Sequence, residues 1–151
     1  MDWTKLANVP TPVYAVVSCG TSAFGVVERN GGTVDTIPFD TVDSQNSTDF
    51  DTSTYTYTTP VAGVYRVMMN VYTKGVVADG GTFTGNDTEY FIRTQESGQS
   101  SVDQSDGPVN STAQSFSSKE WILSLGASCT IKALFKGQIY ERSQMTITKL
   151  F

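Results

Sequence analysis

The chain has 151 residues, with 15 Asp and Glu against 10 Lys and Arg, two cysteines and no histidine. Without histidine there can be no Ser-His-Asp triad, no Cys-His dyad, no HExxH zinc helix and no imidazole proton shuttle; two cysteines cannot build a four-thiolate zinc site. A formal net charge of -5 argues against a phosphate-backbone partner, and the length suits one domain that folds without a metal or disulfide scaffold.

The residue usage points to sheet. Val, Ile and Thr number 16, 6 and 21, and Phe, Tyr and Trp add 17, so 60 of 151 residues are β-branched or aromatic. Such side chains suit a half-buried pleated surface and lose rotamer freedom on a helix. The expectation is an all-β domain. No apolar run approaches a membrane span, so no membrane insertion is expected.

In chain order, residues 1–11 read as an N-terminal arm, with Trp3 and Leu6 as possible docking anchors. Residues 12–18 form a buried strand, and 23–29 a second. Asn30-Gly31-Gly32 is a hairpin turn, because Asn and Gly accept positive φ. Residues 33–39 return. The stretch 40–53, with Asp40, Asp43, Asp49 and Asp51, reads as loop or irregular edge. Residues 54–58 alternate Thr and Tyr as a strand, and Pro60 and Gly63 mark a turn. Residues 64–74 give the clearest strand: Tyr65, Val67, Met69 and Val71 on one face; Arg66, Met68, Asn70 and Tyr72 on the other. That second face is neither plainly core nor plainly solvent, a mixture found at subunit interfaces.

Residues 75–86 form a glycine-rich loop and 88–95 a strand. The polar stretch 96–111 reads as a long functional loop. Residues 113–125, with Phe116, Trp121, Leu123 and Leu125, form another strand. Cys129, Ile131, Ala133 and Phe135 alternate in the next, Lys136-Gly137 turns, and residues 138–142 and 143–151 complete the sheet. Nine or so strands with regular turns make a sandwich or jelly roll over residues 12–151.

Little sequence chemistry rises above this frame. Gly20 to Gly25 has P-loop spacing but no Gly-Lys-Ser/Thr, so it reads as a turn. The aspartates from Asp35 to Asp51, or Asp103 with Asp106, could gather calcium but read as solvated turn residues. Cys19 and Cys129 read as buried thiols, with a bridge between distant strands as the alternative. Three Asn-x-Ser/Thr triplets, at Asn46, Asn86 and Asn110, are read as loop composition. No enzyme activity and no cofactor are expected, and no secretory signal is visible at the Met1 end.

One segment is more specific. Ile37, Phe39, Asp40, Phe50, Asp51, Tyr57, Pro60, Gly63 and Tyr65 follow, in order, the pattern of the globular head of the complement first component's q subunit, within the tumour-necrosis-factor-like superfamily. The chain resembles that family. Leu123-Ser124-Leu125-Gly126 resembles its Leu-x-Leu strand and turn, although Ala127-Ser128 replaces the family's Gly-Asp. The usual aromatic-Ser-Gly is absent from the ending. Residues 37–45 and Thr146-Ile147-Thr148-Lys149 also resemble the heads of bacterial spore-surface collagen-like glycoproteins.

The resemblance implies a ten-strand antiparallel jelly-roll sandwich, complement-head and TNF-like, assembled as a homotrimer. It places the 64–74 strand in the sheet facing the threefold axis. Met68, Asn70 and Tyr72 are then the trimer-interface residues; Tyr65, Val67, Met69, Trp121, Leu123, Ile131 and Ile147 are core. Members of that family are binding and assembly modules. No Gly-X-Y repeat precedes the head here, which departs from a secreted defence collagen. The expected function is a bacteriophage virion surface protein (head decoration, head fibre or fibre tip), made in the host cytoplasm and bound to a capsid or tail protein through the arm. The alternative is a bacterial surface or secreted head that recognises glycan or protein through loops carrying Asp79, Asp87, Asp103 and Asp106.

Overall fold

The structure is a computed structural model and describes residues 12–20, 27–29, 34–46, 48–73, 87–105, 109–110, 115–139 and 142–151. Among these residues there is no helix. Thirteen strand segments occur: β1 (Tyr14–Ser18), β2 (Val27–Arg29), β3 (Asp35–Thr36), β4 (Thr41–Gln45), β5 (Phe50–Asp51), β6 (Thr56–Thr58), β7 (Gly63–Thr73), β8 (Asp87–Gln95), β9 (Val102–Gln104), β10 (Val109–Asn110), β11 (Ser115–Leu125), β12 (Thr130–Ile139) and β13 (Gln144–Lys149).

Ten of these form two five-stranded antiparallel sheets. The first runs β4-β1-β13-β7-β11 and the second β9-β8-β12-β6-β5. The short segments β2, β3 and β10 add to β12 and β8. Strand β12 joins the sheets, because Ile139 at its end pairs with Thr73 of β7. The ten-strand sandwich expected from sequence is the observed architecture.

Alternation builds the core. On β7, Tyr65, Val67, Met69 and Val71 are buried, and so are Ile131, Ala133 and Phe135 on β12 and Met145 and Ile147 on β13. Trp121 is buried on β11, with Leu123 packed partly buried against the same cluster. Each large buried side chain contributes roughly 1.5–3 kcal/mol of transfer free energy, which favours the register that turns this set inward. Cys19 and Cys129 are both buried and unbridged. Gly63 sits where residue 151 crosses: a Cβ there would collide with the Phe151 carbonyl oxygen.

Several boundaries differ from the sequence reading. The stretch 40–53 contains β4 and β5, and the expected loop at 96–111 contains β9 and β10. Tyr55, expected in a strand, lies in the turn before β6 with φ of 53°. The expected turn at Lys136-Gly137 is absent. β12 runs straight through, leaving β8 after the Lys136–Glu89 pair and taking β2 as partner from Gly137 onward. A glycine inside a strand suits such a change of neighbour. The 30–32 hairpin and the 75–86 loop lie outside the described residues.

The registers define two poles. At the first, β1 begins, β7 begins, β11 ends and β13 ends: Tyr14 pairs with Thr148, Lys149 with Tyr65, and Gly63 with Leu125. At the second lie Ser18 with Gln144, and Thr73 with Ser115 and Ile139.

Candidate functional site

The face of the first sheet turned away from the core carries the residues on the other parity. Across it, Phe116 pairs with Tyr72 and Ser118 with Asn70; Glu120 pairs with Met68 and Ile122 with Arg66. On the other side of β7, Gln144, Thr146 and Thr148 of β13 sit opposite Asn70, Met68 and Arg66. Ser18, Val16 and Tyr14 of β1 continue these rows. The expected interface residues Met68, Asn70 and Tyr72 are therefore brought together, each half-buried, down the middle of one face.

The chemistry of this face is divided. Its β11 row alternates apolar ends with a polar centre: Phe116 is 64% and Ile122 61% exposed on either side of Ser118 and Glu120, and the Phe116 ring leans on Tyr72 with centroids 4.6 Å apart. Its middle is polar but internally satisfied. Ser118 Oγ donates to Asn70 Oδ1 at 2.6 Å, and Ser18 Oγ and Gln144 Nε2 donate to Asp43 at 3.0 and 3.3 Å. Arg66 Nε donates to Glu120 Oε2 at 2.7 Å, so the two charges cancel locally. Surfaces that mix apolar side chains with matched polar groups can be covered by protein without stranding donors or charges.

The remaining expected residues are dispersed. Trp3, Leu6, Asp79 and Asp106 lie outside the described residues. Asp87 opens β8 at the second pole. Asp103 is on the strand β9 rather than in a loop, and Arg93 grips its carboxylate with two hydrogen bonds of 2.5 and 2.8 Å. That guanidinium holds the Asp103 carboxyl below its ordinary range. Asp40 caps the Gly20 amide at 2.6 Å, and Asp51 organises the turn to Ser53 and Thr54. Among the described residues, no three His, Cys, Asp or Glu side chains form a group that could hold a metal ion. Burial, with a smaller contribution from Asp40, pushes the Cys19 thiol up to about 12, and burial also raises Cys129, so neither is an activated nucleophile.

Phe116 and Ile122 were not singled out as surface residues by sequence. The signal was parity: Phe116, Ser118, Glu120 and Ile122 alternate with the inward Trp121, Leu123 and Leu125.

No protein-family model matches the chain, and no curated protein matches it in sequence. Solved structures do match. The globular domain of zebrafish complement 1qA is similar at 14% identity, with 91% of this chain and 95% of that one covered and a TM-score of 0.60. Eiger TNF from S. frugiperda is similar at 12% identity, with 93% of each chain covered and a TM-score of 0.63. Murine APRIL is similar at 8% identity, with 93% of this chain and 100% of that one covered and a TM-score of 0.65. The fold is that of the complement-head and TNF-like jelly rolls.

Proposed function

We propose that the protein is a non-enzymatic homotrimer, assembled through the outer face of its first sheet, that serves as a structural and binding module on a bacteriophage virion. A head decoration, head fibre or fibre tip would fit. The observation that carries the assembly is the face built around Met68, Asn70 and Tyr72, where exposed Phe116 and Ile122 flank the matched polar pairs Ser118–Asn70 and Glu120–Arg66. A face that mixes exposed apolar side chains with matched polar pairs has the composition of a protein–protein interface.

Attachment through residues 1–11 has a geometric support. Lys149 N donates to Val13 O at 2.8 Å, so the start and end of the fold meet at the first pole. A molecule held there presents its second pole outward. The composition also supports the reading: the chain has no histidine, and about a quarter of it is Ser and Thr. Deleting residues 1–11 should leave a folded trimer that no longer binds capsids or tails. Undiminished binding would remove the arm from the account. An antibody that labels bacterial cells rather than virions would favour a cell-surface head instead.

A further inference from the structure

The outer face of the first sheet is hollowed at its second-pole end, with a volume of about 700 Å³. Small-molecule sites span roughly 300–1,000 Å³. The lining combines one aromatic ring, Phe116, one guanidinium, Arg142, and one carboxylate, Asp43. Ser18, Asn70, Ser118 and Gln144 add uncharged polar groups, and Cys19 completes it. The two charges are not matched to each other. Asp43 is engaged within the sheet: Ser18 Oγ donates to its Oδ1 at 3.0 Å and Gln144 Nε2 to its Oδ2 at 3.3 Å. Among the described residues the ion pairs are Arg66–Glu120, Arg93–Asp103 and Lys136–Glu89, and Arg142 belongs to none of them.

Arg142 is also held in place. Its φ of 78° lies in the left-handed region, which a non-glycine residue keeps only when its surroundings enforce it. The next residue, the buried Ser143, enforces it: its carbonyl accepts from Cys19 N at 3.0 Å and its Oγ from Tyr72 N at 3.1 Å. Asn70 adds donors, because Ser118 Oγ occupies its Oδ1 and leaves the amide N–H pair unspent. A fixed guanidinium suits a carboxylate, amide donors suit hydroxyls, and an exposed ring suits the apolar face of a compact ring-shaped ligand. We propose that this hollow binds an acidic sugar, with Arg142 on its carboxylate, Asn70 on a hydroxyl and Phe116 against its flat face. The proposal deepens the binding-module reading and rests on it for access, since a molecule attached by its first pole turns this end outward.

The test is the binding of D-glucuronic acid and D-glucose, which differ only in the carboxylate, to the full chain by titration calorimetry at low salt. The acid should bind with a dissociation constant on the order of 1 mM, and glucose at least about tenfold more weakly. Arg142→Gly removes the guanidinium, and glycine adopts a φ of 78° without strain, so the variant keeps the fold. It should weaken the acid about tenfold or more and leave glucose unchanged. Arg142→Lys keeps the charge without the planar fork and should fall between the two. Equal binding of both sugars, no binding of the acid, or undiminished binding by Arg142→Gly would each overturn the assignment. Sedimentation of the same samples separates this result from the assembly. A trimer that ignores the acid sinks the site alone, and a monomer that binds it sinks the trimer reading alone.

Discussion

Two tyrosines in contact separate burial from hydrogen bonding. Tyr57 and Tyr65 are both buried, with ring centroids 6.4 Å apart. Tyr65 OH donates to Val61 O at 2.6 Å, whereas Tyr57 OH has no hydrogen-bond partner among the described residues. Tyr65→Phe should cost about 1 kcal/mol, while Tyr57→Phe should be neutral or stabilising by up to about 1 kcal/mol, read from urea unfolding. Burial raises the phenols of Tyr57, Tyr65 and Tyr90 and the thiols of Cys19 and Cys129. Their folded values lie above their unfolded ones, so the unfolded chain releases these protons first. The associated stability is complete below the unfolded values of about 8.5 for thiols and about 10 for phenols, and is lost as pH rises beyond them. Urea midpoints should fall steadily above about pH 8.5. With no histidine in the chain, none of the usual imidazole contribution should appear near pH 6.5. At this scale the sequence was informative wherever alternation was unbroken, as at Tyr65, Val67, Met69 and Ile147. It failed at Phe91 and Leu134, which sit on outward parity yet are buried, paired across β8 and β12. Period-two alternation assigns such residues to solvent, and only tertiary cover reverses that.

At the scale of elements, one side chain ties two turns together. Thr59, after β6, donates from Oγ1 to Gly126 O at 2.7 Å and accepts from Cys129 N at 2.9 Å. Its own amide donates to Cys129 O at 2.9 Å. The turn before β12 is thereby fixed to the turn that leads into β7. Thr59→Val keeps the shape but strands the Cys129 amide and should cost about 1–3 kcal/mol in urea unfolding. No loss would mean that the turn is held by its backbone bonds alone. The long strand β7 was legible because it carries a sustained two-residue period, as does β12 through Cys129, Ile131, Ala133 and Phe135. β9 was not, because Val102-Asp103-Gln104 has no apolar alternation: it is an edge strand held by backbone pairing to β8 and by the Arg93–Asp103 bridge. The passage of β12 through Gly137 was hidden for a related reason. A glycine after a lysine signals a turn locally, and the change of neighbour from β8 to β2 is set by tertiary structure.

At the scale of the molecule, the outer face of the first sheet joins residues of β1, β7, β11 and β13 into one surface. The face around Met68 is the one the account assigns to assembly, and sequence located its centre from the mixed character of Arg66, Met68, Asn70 and Tyr72. It did not locate the edge, because Phe116 was grouped with Trp121, Leu123 and Leu125 as one more apolar residue although its parity is opposite to theirs. Met68→Glu adds a second carboxylate opposite Glu120 in the middle of that face, both beside the single guanidinium of Arg66, whose Nη2 lies 4.0 Å from Met68 Sδ. It should dissociate the trimer while leaving a folded chain, since Met68 lies outside the core cluster. The most direct test of the account is the native mass of the full chain by sedimentation at neutral pH with a chelator present. A species of three 16.4 kDa chains is the predicted result. A single-chain mass under those conditions would contradict assembly through the first sheet's outer face.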